Sequence, residues 1–148
     1  MFKKILVPVD GSEESKKGLL IARSLADSCQ AAEVTLLYVL APVTLLAATT
    51  PGDERYLSAI PEILVFRQKE GQDVLEAAEE VFAGSPATID TIMEEGHAAG
   101  VILEMAKKGG YDLIVLGSRG LSRVVGFLLG SVSDAVVHHA HCPVLIAR

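Results

Sequence analysis

The chain has 148 residues, half of them apolar and 22% charged, and its 19 acidic side chains outnumber 13 basic ones to give a formal net charge of −6. That length and composition describe one domain with a substantial buried core. They exclude a disordered chain, and they argue against duplex DNA as the main partner, which requires a basic face. The apolar runs are too short to span a bilayer. Met1-Phe2-Lys3-Lys4 leads into a five-residue run instead of the hydrophobic region of a signal peptide. The expectation is therefore a cytoplasmic protein without membrane or nucleic-acid partners.

Ile5-Leu6-Val7 is short, continuous and apolar, like a strand buried on both faces of a sheet. After Pro8-Val9-Asp10-Gly11, Ser12 followed by Glu13 and Glu14 marks a helix start, and Leu19, Ala22, Leu25, Ala26 and Cys29 recur at helical spacing. Val34 to Leu40 is a second strand. Residues 41–56, with Pro42, Pro51 and Gly52, read as a connection of a length usually tied to function. From about Ser58 a long helix carries Ile60, Ile63, Leu64, Val74, Leu75, Ala78, Val81 and Phe82 on one side and stops near Gly84-Ser85-Pro86. Thr88 to Met93 alternates weakly as a third strand. Ala99 to Lys108 is a short helix ended by Gly109-Gly110. Leu113 to Leu116 is strand four, Ser131 to about His139 the last helix, and Val144 to Ala147 strand five.

Strand and helix in alternation, with apolar strands, predict a doubly wound α/β fold: a parallel sheet with helices on both faces. Ligands in such folds bind beyond the carboxyl ends of the strands, where the winding reverses. The unusual segments lie at two such places, Pro8 to Gly11 and from Gly117 onward. They serve one ligand only if strands one and four are neighbours.

Gly117 and Gly120 flank Ser118-Arg119 directly after strand four, and Gly130-Ser131 opens a helix after nine intervening residues. From Gly117 to the end, Asp134 is the only acid. Glycines permit positive φ and close approach of the main chain to a ligand. The free amides of the helix start, with the Ser131 and Ser133 hydroxyls beside them, make an anion site suited to phosphates. Neither a Walker A loop nor G-x-G-x-x-G is present, and a plain loop before a capped helix is the alternative. Asp10 has the position for ribose hydroxyls or a phosphate-borne metal, although Asp-Gly-Ser is also turn and cap chemistry. His138, four residues after Asp134, shares a helix face with it; a metal pair and a cation at the helix carboxyl end are the two readings. Cys29 and Cys142 show no metal-ligand spacing and read as buried or half-buried thiols. There is no nucleophile elbow.

The run Ile5-Leu6-Val7-Pro8-Val9-Asp10-Gly11-Ser12-Glu13, the pattern Gly117-x-x-Gly120-(nine residues)-Gly130-Ser131 and the closing Cys142-Pro143-Val144-Leu145-Ile146 resemble a universal stress protein over the whole chain. The glycine pattern resembles the ATP-binding branch of that family. The resemblance implies strand order 3-2-1-4-5 and a single nucleotide-binding domain over residues 1–148. It implies that Val9 and Val39 line the adenine and ribose side, partly through backbone groups, with Pro8 stiffening the wall. Asp10 would contact the ribose or a Mg ion brought by ATP. Gly117, Ser118, Arg119 and Gly120 would wrap the sugar and phosphates, and Gly130, Ser131, Val132 and Ser133 would hold the phosphates. A homodimer through Val144, Leu145 and Ile146 is implied as well, together with a regulatory stress-response role and ATP hydrolysis that is slow at most. A nucleotide-free scaffold of the same fold and a weak ATPase are the alternatives.

Overall fold

A computed structural model describes residues 1–30, 33–43, 54–118 and 129–148. Five strands, β1 (Lys4–Pro8), β2 (Glu33–Leu40), β3 (Thr88–Glu95), β4 (Leu113–Gly117) and β5 (Val144–Ala147), form one parallel sheet in the order β3-β2-β1-β4-β5. Among the described residues four helices connect or flank them: α1 (Glu13–Cys29), α2 (Glu54–Val81), α3 (Ala98–Lys108) and α4 (Ser131–His139). The expected order and the neighbouring of strands one and four are both present, with Ile5 paired to Leu113 and Leu6 to Ile114.

The unbroken apolar strands follow from burial on both faces. Successive side chains point to opposite sides, so Ile5, Val7 and Val9 enter the core under α1 and α2 with Val34, Leu36, Leu113 and Val115. Leu6, Leu37, Ile114 and Leu116 enter the second core, under α3 and α4. Ile5, Leu6, Val7, Leu36, Leu37 and Ile114 are wholly excluded from solvent, and each such side chain contributes about 2 kcal/mol of transfer free energy. A polar pair drawn in is satisfied: Tyr111 Oη donates to Thr35 Oγ1 at 2.8 Å inside the second core. Cys29 packs on the first core and Cys142 on the second, so the sheet separates the two free thiols.

Helix boundaries follow local chemistry. The Ser12 hydroxyl accepts from Ser15 N at 3.1 Å and caps α1, with Glu13 and Glu14 in the favourable first turn. The Asp112 carboxylate takes the Lys3 and Lys4 amides at 2.8 and 3.0 Å, binding the start of β1 to the start of β4. Helix α2 begins at Glu54, four residues before the start near Ser58 that the sequence indicated, and like the expected helix it carries Pro61 in its interior, where a proline ordinarily breaks a helix. No helix among the described residues is long and apolar enough to cross a membrane.

Gly71 is buried in α2 because a Cβ there would lie 2.8 Å from the Tyr38 ring and from Met93 Cε. Alanine would gain about 1 kcal/mol of helix propensity, but overpacking against a stiff ring costs about 1–3 kcal/mol. Gly71→Ala is therefore expected to lower the urea midpoint, and a raised midpoint would show that α2 shifts freely off the sheet.

Candidate functional site

The site begins with strands of unequal length. Pro8, the end of β1, pairs with Leu37, while β2 continues to Leu40. Val9 N–H donates to Leu37 O at 2.8 Å, the last bond of that ladder among the described residues. In a parallel pair alternate residues face the same neighbour, so Val39 turns its N–H and C=O toward the space β1 has vacated. On the other side of β1, β4 ends at Gly117, and Ser118 N–H donates to Ala147 O at 2.8 Å. Between β1 and β4 the winding reverses, and a cavity of about 400 Å³ opens there.

Its walls bring together most of the residues singled out in the sequence: Pro8, Val9, Asp10, Val39, Gly117, Gly130, Ser131, Val132 and Ser133. Gly130 caps α4 without a side-chain bond, and the first backbone bond of the helix is Asp134 N–H to Gly130 O at 2.9 Å. The amides of Ser131, Val132 and Ser133 precede it, in the turn where N–H groups have no carbonyl above them. Three donors and the positive end of a helix dipole thus border the cavity. Asp10 combines both readings of its chemistry: Oδ1 accepts Ser12 N–H at 2.9 Å in a turn, and the residue still lines the cavity.

Ser118 is placed differently. It is buried, and its carbonyl accepts Gly130 N–H at 2.6 Å and the Ser133 hydroxyl at 2.7 Å. Ser133 Oγ also lies 3.0 Å from Gly130 O, but its one hydrogen serves the nearer carbonyl. Ser118 is thus a structural staple. Arg119 and Gly120 lie outside the described residues. Gly117 and Gly130 are not there for positive φ: among the described glycines only Gly11, Gly84, Gly96 and Gly110 adopt it. Gly117 is required by packing, because a Cβ would fall 2.6 Å from the Glu14 carbonyl carbon. Glu14 Oε2 is buried there without a hydrogen-bond partner, at a helix start whose dipole favours a carboxylate.

Several wall residues had no signal in the sequence, among them Ala41, Ala98 and Ile102. Ala98 and Ile102 come from α3 and read there as ordinary helix-face apolar positions. Ala41 closes the end beyond Val39, and the Arg67 guanidinium reaches from α2 to donate to its carbonyl at 2.6 Å. Arg67 also stands beside Tyr38. Burial pushes the Tyr38 phenol above its usual value, Glu70 adds to the rise, Arg67 opposes it and Asp10 adds slightly. The histidines do not line the cavity. His138 Nδ1 lies 2.8 Å from Asp134 O and 3.6 Å from its carboxylate, and no cluster of three or more metal-ligating side chains occurs among the described residues.

Two outcomes follow from this geometry. Gly117→Ala costs about 1–3 kcal/mol of stability by overpacking against α1, measured by urea unfolding, and an unchanged midpoint would show that α1 yields. Arg67→Ala removes the cation opposing the rise at Tyr38, so the phenol titrates at still higher pH. Tyrosinate absorbance, referenced to Tyr38→Phe, reads this; a downward shift would place the guanidinium elsewhere.

The entire chain, residues 1–148, matches the model of the Universal stress protein family. It is 39% identical to universal stress protein YxiE of Bacillus subtilis, with all of both chains covered. Among solved structures it is similar to universal stress protein UspA of Lactobacillus plantarum, at TM-score 0.84 and 28% identity over 99% of this chain and 98% of that one. The fold is shared with a universal stress protein crystallised in complex with cAMP (TM-score 0.68, 24% identity, 99% and 97% covered). It is shared too with one from Archaeoglobus fulgidus in complex with dAMP (TM-score 0.68, 17% identity, 100% and 98% covered).

Proposed function

From the premise that this chain belongs to the universal stress protein family, we propose that residues 1–148 are a nucleotide-binding domain that binds ATP as a regulatory ligand. The observation that carries the reading is the cavity at the winding reversal. One end offers the N–H and C=O of Val39, and the other the amides of Ser131, Val132 and Ser133, all without a partner among the described residues. A donor beside an acceptor matches N1 and the 6-amino group of adenine and opposes the inverted pattern of guanine. Amides at a helix start suit phosphates. The adenine nucleotides held by two proteins of the same fold agree with that assignment.

Magnesium typically takes one or two carboxylates together with the phosphates of its nucleotide. Asp10 fits that donor set, since Ser12 N–H occupies only one of its oxygens. Asp10 would hold the ion, whose chemistry is neutralisation of phosphate charge. Among the described residues lining the cavity Asp10 is the only acid, and its engagement in the turn leaves it ill-suited to deprotonate water. Hydrolysis is accordingly slow, and the nucleotide acts by occupancy. The edge strand β5, with Val144, Leu145 and Ile146 only half-buried, is the surface through which two copies pair. The cytoplasm is the matching location.

Equilibrium binding of labelled ATP with Mg tests the reading: saturation in the micromolar range is expected. Gly130 sits at φ −74°, ψ 165°, an extended geometry that valine adopts readily. Gly130→Val should therefore fold normally and bind ATP at least tenfold more weakly. At a hundred times Kd the nucleotide should add about 2.7 kcal/mol to native stability. An unfolding midpoint indifferent to Mg-ATP would leave the nucleotide-free scaffold in its place.

A further inference from the structure

A second concavity lies on the opposite face of the sheet, between α1 and α2, and at about 500 Å³ it is the larger of the two. At one end the helices are tied together: the Arg23 guanidinium donates to Val81 O, and Ser85 Oγ donates to Asp27 Oδ1 at 2.5 Å. Toward the other end the groove opens at Phe66, 68% exposed. Its floor is aliphatic, made by Val9, Leu19, Val74 and Ala78. Ser15 is the one hydroxyl in the lining, and it already accepts Asp10 N–H at 3.3 Å. Bound water needs two to four polar partners, and this floor does not supply them.

The charges at the mouth narrow the occupant further. Lys16 Nζ lies 2.8 Å from Glu13 Oε1, and Lys69 Nζ lies 3.6 Å from Asp73 Oδ1. Glu70 adds another carboxylate to the lining. Both cations of the mouth are thus matched, and the surplus charge is negative. A fatty-acid carboxylate or a phosphate would meet repulsion and no unpaired cation. Pockets of this size with predominantly apolar walls hold molecules of drug-like size.

We propose that this groove is a second ligand site, which takes one uncharged apolar small molecule, aromatic or aliphatic. It is independent of the nucleotide reading, because none of its argument uses the strand-end cavity. The test is titration of the full chain with the neutral fluorophore N-phenyl-1-naphthylamine, without nucleotide. The expected result is saturable 1:1 binding with enhanced emission, displaced by 1-decanol but not by decanoate at neutral pH. Ala77 lines the wall from the exposed side of α2, so Ala77→Trp fills the groove from outside the core. It should weaken the fluorophore at least tenfold while cooperative urea unfolding is retained. Ala77→Ser, which alters little volume, should bind as the parent does. Emission that never saturates, displacement by decanoate as effective as by decanol, or indifference to Ala77→Trp would overturn the proposal. Loss of fluorophore as sedimentation shows self-association would overturn it too, by assigning the groove to a second copy of the chain.

Discussion

Reversal of winding is the constraint from which the rest of the architecture follows. The connections leaving β1 and β4 depart to opposite sides of the sheet, because the strand order runs outward from β1 to β3 and then resumes at β4. No single crossover can cover both strand ends, so a crevice between them is unavoidable in this topology. The chain deepens it by ending β1 at Pro8 while β2 continues to Leu40. Unpaired main-chain groups at this place are a product of strand length before they are a product of any side chain.

A second requirement is that α1 start close against β4. The absent Cβ of Gly117 lets the Glu14 backbone approach, and the turn before it is held by Asp10, Ser12 and Ser15 bonding one another. The same few residues therefore set the helix start, the floor of the crevice and one wall of the groove on the far face, since Val9 and Ser15 border both concavities. Stability and site geometry are drawn from a shared stretch of chain, so damage to either is expected to register in both.

The sheet was legible in the sequence because strands buried on both faces must be largely apolar runs, which mark four of the five, while the third, Thr88 to Met93, showed only as a weak alternation at the sheet edge. The neighbouring of strands one and four was legible as the condition under which the two unusual segments could serve one ligand. The start of α2 lies four residues before Ser58, earlier than its apolar periodicity, which begins at Ile60, could indicate. Arg67, Ala98 and Ile102 were hidden for another reason: their roles depend on where distant helices lie over the strand ends, and no local pattern encodes that. Gly117 and Gly130 were found, but for a reason the structure revises. Backbone freedom is used at Gly11, whereas Gly117 answers to helix packing and Gly130 to an extended cap.

The bonds joining Ser118 to Gly130 and Ser133 carry one more implication. The chain on either side of residues 119–129 is fastened together by these bonds. A change in the length or composition of the sequence between those two points therefore costs the sheet and α4 little, since the entropy of closing a loop grows only logarithmically with its length. The fold can accordingly exchange this stretch of sequence for others without renegotiating its core.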